Sequence, residues 1–227
     1  MPELPEVETV RRGLEQLIVG KQVARVEHDN PKSFPNPASE VEEFLIGASV
    51  AAVKRRAKVL LIESSSEYTI VIHLKMTGQL VFIQDRDTRF GAGHPNDSLV
   101  KNLPDKSTRV TLTFIDGSRL FFNDQRKFGW MRLLPTISLP EIDFMKRVGP
   151  EPLEEEFTAA DFISRIRRRN GTVVKAAILD QTVLAGVGNI YADESLWGDF
   201  VHPATRVRDI SDEQLANIDQ HDVCQAK

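Results

Sequence analysis

The chain has 227 residues, of which 41% are hydrophobic and 27% are charged, a balance typical of one large globular domain or two small ones. Its formal net charge of −4 and its single cysteine, Cys224, exclude a strongly basic polypeptide, an internal disulfide framework and a closed cysteine-rich zinc site. Since the sequence shows no secretory signal and no apolar run long enough to span a membrane, we expect a reducing, cytoplasmic compartment.

The N-terminal part is predicted to begin with a helix over residues 3–18. Its apolar residues recur on one helix face, glutamates fill the first turn, and Gly20 is a plausible cap. Residues 22 to about 135 are predicted to be mainly β, with a second helix around 39–46 and a long loop over 84–107. The clearest strand signals are TIVIHL (69–74), the alternating RVTLTF (109–114) and the turn Asp116-Gly117 that leads into RLFFND (119–124).

The amino-acid composition changes at GPEPLEEE (149–156), where proline and acidic residues indicate a linker. After it the β signal disappears, and Thr158 with Asp161 is typical of a helix start. Further helices are predicted at about 172–183, 189–198 and 211–220. The pattern therefore predicts a β-rich N-terminal domain followed by a helical C-terminal domain.

Basic residues cluster in KRRAK (54–58), QRK (125–127) and RIRRR (165–169), although the total charge is negative. Local basic patches on an acidic protein can bind phosphate. The charge pattern is equally compatible with three solvated faces.

Met1-Pro2 suggests a reactive amine. Methionine is usually trimmed before a small residue, and trimming would expose the nitrogen of Pro2. An α-amino group has a pKa of roughly 7.7–8.0, so a useful fraction is unprotonated at neutral pH and can attack an electrophilic carbon to form a Schiff base. The neighbouring Glu3 could move protons. The alternative is that Pro2 merely starts a helix.

Six blocks in order along the chain resemble the formamidopyrimidine-DNA glycosylase family, which repairs oxidised bases in bacteria. They are MPELPEVETVRRGLE (1–15), RRAKVLL (55–61), HLKMTGQL (73–80), DQRKFGW (124–130), VGPEP (148–152) and LDQTVLAGVGNIYADESLW (179–197). The resemblance implies a two-domain α+β fold: a β-sandwich catalytic domain with an N-terminal helix (1–135), a linker (136–157) and a helical DNA-binding domain with a helix-two-turn-helix motif (158–227).

The resemblance also implies the catalytic residues. Pro2 matches the nucleophile that attacks C1′ of the damaged nucleotide, and Glu3 matches the acid that protonates the sugar or the leaving group. Glu6 matches a supporting carboxylate. Lys58 matches a lysine that contacts phosphate and assists elimination.

The implied DNA contacts come from both domains. Met76, Arg126 and Phe128 match the side chains that fill the gap left by the extruded nucleotide, in keeping with the apolar wedges of base-flipping enzymes. The remaining matches are expected near the DNA backbone: His73, Lys175, the turn with Gly186, Gly188 and Asn189, and Arg169 as a looser candidate.

Two departures from the family pattern are visible. Ser107 and Arg109 stand where the family often has a His-x-His pair, so the resemblance implies a DNA phosphate contact here, to which Ser107 could donate one hydrogen bond. The family's C-terminal four-cysteine zinc finger, which supplies an arginine for the second elimination step, has no counterpart before Lys227. We therefore expect no cofactor in this chain. The ending HDVCQAK favours an interrupted chain over a natural form without the finger.

The resulting hypothesis is a monomeric, nucleoid-associated bacterial enzyme of base excision repair. It would act on double-stranded DNA as a bifunctional glycosylase/AP lyase that excises 8-oxoguanine and formamidopyrimidines, with no membrane partner. The alternatives are a lesion- or AP-site-binding protein without turnover, a fragment unable to bind DNA, and an enzyme for oxidised pyrimidines.

Overall fold

The computed structural model describes residues 2–224, with side chains described through residue 218. The chain divides into two compact units between Glu141 and Ile142. The first unit holds the predicted N-terminal helix, α1 (Leu4–Ile18), and nearly all the β-structure. Val7, Val10, Leu14 and Ile18 are fully buried, which confirms the predicted apolar face of this helix.

Two antiparallel sheets form a sandwich in the first unit, with α2 (Ala38–Phe44) as a short additional helix. One sheet has the order β1-β7-β8-β5-β6 and the other β2-β3-β4-β9. The strands are β1 (Val23–His28), β2 (Val50–Arg56), β3 (Val59–Ser64), β4 (Tyr68–His73), β5 (Gly78–Ile83), β6 (Arg89–Gly93), β7 (Thr108–Phe114), β8 (Arg119–Asp124) and β9 (Trp130–Pro135).

A single apolar core joins both sheets and α1. It includes Phe82, Phe114 and Phe122 from the five-stranded sheet, and Ile62 and Leu133 from the four-stranded sheet. The alternation predicted for RVTLTF is confirmed, since Val110, Leu112 and Phe114 are buried. Burial of apolar side chains from both layers holds the sandwich together.

The prediction of a long loop over 84–107 was wrong in one respect. Residues 89–93 form β6, which pairs with β5, and Asp97–Leu99 form a 3₁₀ turn. The strand contains Gly91 and Gly93, which weaken the sequence signal for β-structure. The ring of Phe90 in this strand packs closely on Gly13 of α1, where an added Cβ would overlap the ring. Phe90 therefore packs into the space that Gly13 leaves open.

Short helices occupy part of the segment predicted as a linker. A 3₁₀ helix spans Thr136–Glu141 and α3 spans Asp143–Arg147. The predicted helix start at Thr158 is confirmed, because Thr158 and Asp161 form a reciprocal capping box ahead of α4 (Ala159–Ile166).

The second unit is helical, as predicted. It continues with α5 (Val174–Leu179), α6 (Asn189–Gly198) and α7 (Asp212–Cys224) around its own apolar core, to which Phe162, Ile178 and Leu215 belong. Of the predicted C-terminal ending, residues 225–227 lie outside the described chain. No helix within residues 2–224 is long and apolar enough to cross a membrane.

Candidate active site and nucleic-acid interface

The strand register brings three connections to one end of the sandwich. Val59, directly after Lys58, pairs with His73, and His73 pairs with Trp130 in the four-stranded sheet. In the other sheet Gly78 pairs with Asp124. The β2–β3 turn with Lys58, the β4–β5 loop (74–77) and the β8–β9 loop (125–129) therefore lie at the same end. We call the last two the crossover loops, because each passes from one sheet to the other.

The N-terminus of α1 orients the first acidic residues. Pro2 and Glu3 are buried, with Glu3 2% exposed at the helix N-cap. The main-chain N–H of Glu3 donates to the Glu6 carboxylate at 2.8 Å, one half of a capping box. Glutamate is an uncommon N-cap residue, and here the N-cap position of α1 places a buried carboxylate next to Pro2.

Lys58 lies in the electrostatic field of both carboxylates. Burial lowers the pKa of the Lys58 ammonium from its usual 10.5, and the charges of Glu3 and Glu6 partly offset that shift. The structure thus brings together three of the four predicted catalytic side chains, and Pro2 is adjacent to Glu3 along the chain. Such a site can supply an amine, carboxylates for proton transfer and a cation for a phosphate.

A buried ion pair holds the Lys58 turn to α1. Arg55 donates through Nε to Glu8 at 3.0 Å and through Nη1 to the carbonyl of Ala57 at 3.0 Å. Ala57 has φ of 49°, a left-handed conformation that costs energy for a residue with a Cβ. Burial alone would raise the pKa of the Glu8 carboxyl, but hydrogen bonds from Arg11, Arg55 and Arg12 outweigh it and lower that pKa to about 2. Sequence reasoning gave Glu8 and Arg55 no role.

His73 is a neutral hydrogen-bond donor in this environment. Burial, followed by the charges of Lys75 and Lys58, lowers the pKa of His73 to about 4. Its Nδ1 accepts the main-chain N–H of Lys75 at 3.0 Å, so the remaining ring proton is on Nε2. A neutral imidazole of this kind can donate to a phosphate oxygen without adding a charge.

The three side chains expected to fill the gap in DNA are exposed. Met76 is 39% exposed and Phe128 is 53% exposed, so both apolar side chains are accessible to a partner. The guanidinium carbon of Arg126 lies 4.9 Å from the centre of the Phe128 ring. Met76 lies in one crossover loop, and Arg126 and Phe128 in the other.

Ser107 and Arg109 are buried and bonded within the protein. The Ser107 hydroxyl donates to Asp105 at 2.6 Å. Arg109, 4% exposed, donates to the main-chain carbonyl of Asp124 at 2.9 Å and forms an ion pair with Asp29. Their polar groups stabilise β7 and the start of the β8–β9 loop.

In the second unit the predicted residues surround the turn before α6. Gly188 is the N-cap of α6, and the exposed Asn189 is its first residue. Lys175 pairs with Asp193 at 2.7 Å, and Arg169 pairs with Asp180 at 2.8 Å.

The turn itself is organised by Gln181. The Gln181 side chain accepts the N–H of Gly186 at 2.8 Å and donates to the carbonyl of Val187 at 2.9 Å. Gly186 has φ of 84°, a conformation that glycine adopts without strain. The described residues contain no group of three or more His, Cys, Asp or Glu side chains placed to hold a metal ion.

Comparison with known families decides what kind of protein carries these residues. The family model described as the formamidopyrimidine-DNA glycosylase N-terminal domain matches residues 1–131, and that of the formamidopyrimidine-DNA glycosylase H2TH domain matches residues 148–225. The chain belongs to the formamidopyrimidine-DNA glycosylase family. Enzymes of this family are DNA glycosylases of base excision repair.

Curated relatives support the assignment along nearly the whole chain. The formamidopyrimidine-DNA glycosylase of Ligilactobacillus salivarius (strain UCC118) is 40% identical over 215 residues, which are 95% of this chain and 72% of that protein. The formamidopyrimidine-DNA glycosylase of Herpetosiphon aurantiacus is 40% identical over 220 residues, covering 96% of this chain and 74% of that protein.

Solved structures of the Lactococcus lactis formamidopyrimidine-DNA glycosylase share the fold. One, bound non-covalently to DNA containing an AP site, is 28% identical with a TM-score of 0.82, and the match covers 99% of this chain and 80% of that one. Another, in complex with DNA containing N7-benzyl-Fapy-dG, is 29% identical with a TM-score of 0.83, covering 99% and 77%.

Proposed function

We propose that this chain is a bifunctional DNA glycosylase/AP lyase that excises oxidised purines, 8-oxoguanine and formamidopyrimidines, from double-stranded DNA in the bacterial cytoplasm. The observation that carries the proposal is the grouping at the head of α1. Pro2 and Glu3 are buried next to a helix N-terminus, and the charges of Glu3 and Glu6 act on Lys58.

In the proposed reaction the Pro2 nitrogen, freed by removal of Met1, attacks C1′ of the damaged nucleotide with its lone pair. The bond from C1′ to the base breaks, and Glu3 supplies a proton to the sugar or the departing base. The proline nitrogen then loses its proton, and its lone pair forms the C1′=N bond as the C1′–O4′ bond of the sugar breaks and O4′ takes up a proton. The product is an iminium, the Schiff base. Abstraction of a C2′ proton then expels the 3′ phosphate by β-elimination.

Lys58 serves as the cation for the phosphate in this scheme. A buried ammonium is costly to desolvate, and the Glu3 and Glu6 carboxylates compensate for part of that cost before DNA arrives. A phosphate oxygen of DNA would become a further anionic partner of Lys58, and the Lys58 ammonium would stabilise the negative charge that develops on the leaving phosphate. The neutral Nε2–H of His73 would donate to the backbone nearby.

The proposed DNA contacts of each unit have different chemistry. In the first unit Met76, Arg126 and Phe128 would enter the stack in place of the extruded nucleotide. In the second unit Asn189 and the main chain at Gly188 would bind a phosphate at the N-terminus of α6, where the helix dipole favours an anion. Lys175 and Arg169 would exchange or share their carboxylate partners with phosphates.

Borohydride trapping on a duplex with one 8-oxoguanine tests the proposal. We expect a covalent protein–DNA adduct from protein whose mass shows that Met1 is removed. The matched control is the same chain with Met1 retained, in which the Pro2 nitrogen is an amide and no adduct should form. Absence of an adduct from the trimmed protein would contradict the catalytic proposal. Lesion-selective binding without base release would instead support a binding protein without turnover.

A further inference from the structure

The two crossover loops are joined by a buried carboxylate that the proposed chemistry does not use. Asp124 ends β8 and is fully buried. Its Oδ1 accepts the hydroxyl of Thr77, from the other loop, and the main-chain N–H of Arg126 at 3.1 Å. Its Oδ2 accepts the N–H of Gly129 at 2.7 Å. One side chain therefore fixes both ends of its own loop and one residue of the neighbouring loop.

Thr77 contributes to this connection in two ways. Its hydroxyl donates to Asp124, and its oxygen also accepts the N–H of Arg126 at 3.1 Å. Thr77 directly follows Met76, and its hydroxyl oxygen bonds the main chain of Arg126 directly. The Thr77 hydroxyl therefore links the main chain next to Met76 with that of Arg126. We call Thr77, Asp124 and the Arg126 amide the brace.

The main chain around the brace is tightly constrained. A Cβ added at Gly129 would lie 2.7 Å from the Phe122 ring and 3.0 Å from the carbonyl of His73. Lys75 and Lys127, one in each crossover loop, have φ of 52° and 58°. Left-handed residues with a side chain persist where the surrounding structure holds them, and they concentrate at functional sites.

We propose that Thr77 and Asp124 are positioning residues that hold Met76, Arg126 and Phe128 in one arrangement, so that they enter the DNA stack as a unit. The proposal rests on the DNA-contacting role given to these side chains above. Neither Thr77 nor Asp124 acts on the sugar or the phosphate. The brace instead keeps the two loops in register before DNA binds, which lowers the ordering cost of insertion.

The brace predicts a substrate-dependent defect. Insertion must drive an intact lesion out of the stack, whereas a site that already lacks its base has no base to unstack. Loosening the loops should therefore impair release of 8-oxoguanine more than cleavage at a preformed AP site. A residue that only stabilised the fold would impair both reactions alike.

The sharpest variant is Thr77→Val, which keeps the shape of the side chain and removes the hydroxyl. Thr77→Ser, which keeps the hydroxyl, is the matched control. Because a hydrogen bond to a charged group is lost, we expect single-turnover 8-oxoguanine release to fall by about 10- to 100-fold in Thr77→Val. We expect the rate of cleavage at a preformed AP site to change by less than about 3-fold. A change of that size in the activation free energy is smaller than the usual contribution of one neutral hydrogen bond. Thr77→Ser should behave as the wild type. Rates are compared after circular dichroism has shown equal folding.

A second readout does not require catalysis. The fluorescence of 2-aminopurine placed opposite a tetrahydrofuran site reports insertion when protein binds, and Thr77→Val should lower that signal at saturating protein. Wild-type activity on both substrates in Thr77→Val, or equal loss on both, would overturn the proposal, as would a failure of Thr77→Ser to restore function. If the wild-type chain releases no base, the proposed function fails, and the fluorescence comparison still decides whether the brace acts in insertion.

Discussion

Two of the regions that carry proposed DNA contacts, the crossover loops and the turn before α6, are stabilised by hydrogen bonds over different distances along the chain. In the crossover loops the decisive hydrogen bond, Thr77 to Asp124, joins residues 47 apart in sequence. In the turn before α6 the Gln181 side chain bonds residues five and six positions away. The turn is thus a local structure, whereas the crossover loops depend on the two sheets having formed. A local turn can be recognised from a sequence block, but a brace between sheets cannot.

The largest expected effect comes from removing the long-range connection altogether. Asp124→Ala leaves the buried N–H of Gly129 and the Thr77 hydroxyl without this acceptor, while the N–H of Arg126 keeps Thr77 as a partner. We expect the free energy of unfolding of the first unit to fall by about 3 kcal/mol, because each unsatisfied buried donor carries a desolvation cost. Urea denaturation combined with hydrogen exchange in β5, β8 and β9 measures the loss.

The matched change in the local turn is Gln181→Ala. It removes the bonds to Gly186 and Val187 but leaves the surrounding main-chain bonds in place. We expect a loss of about 1 kcal/mol, seen as faster hydrogen exchange over residues 179–189. A loss as large as that of Asp124→Ala would contradict the distinction between the two regions.

The arginine cluster around Glu8, formed by Arg11 and Arg12 of α1 and the distant Arg55, should appear in the pH dependence of stability. The pKa of Glu8 is lowered from 4.5 to about 2 in the folded chain. Its contribution, about 3 kcal/mol, is therefore fully present above pH 4.5 and is lost as the pH falls toward 2. Urea denaturation at several pH values below 5 measures it.

Glu8→Gln should remove this part of the pH dependence. Glu15→Gln is the control, because the Glu15 side chain is half exposed and pairs with Arg11 alone among the residues that the structure describes. If both variants kept the same pH profile as the wild type, the arginine cluster around Glu8 would not be the source of the acid sensitivity.

An effect of opposite sign, a gain in stability, is expected from relieving local strain at the other end of α6. Phe200 has φ of 54° and is 90% exposed, at the position after the helix cap where glycine is favoured. Phe200→Gly should raise the free energy of unfolding of the second unit by about 1 kcal/mol, because the left-handed conformation then costs nothing. Thermal unfolding followed by circular dichroism gives the shift.

Phe200→Ala separates conformation from side-chain exposure. It removes the exposed ring but keeps the Cβ, so its stability should stay close to that of the wild type. A gain in Phe200→Ala equal to that in Phe200→Gly would assign the effect to the ring.

The sequence by itself determined the elements whose signals are local. The apolar face of α1, the alternation in β7, the capping box at Thr158 and the start of α6 each depend on residues a few positions apart. The sequence blocks also named Lys58, Met76, Arg126 and Phe128, because these lie within recognisable motifs.

Only the tertiary structure decided which of these elements meet. The sheet order brings the Lys58 turn and both crossover loops to one end of the sandwich. Pairing with β5 makes β6 a strand despite its glycines, and Gly13 leaves room for its Phe90 ring. The bond of Arg109 to the main chain of Asp124 likewise joins residues that are far apart in the sequence. The physical reason is that a buried polar side chain must find partners wherever the fold provides them, and those partners are far away in the sequence.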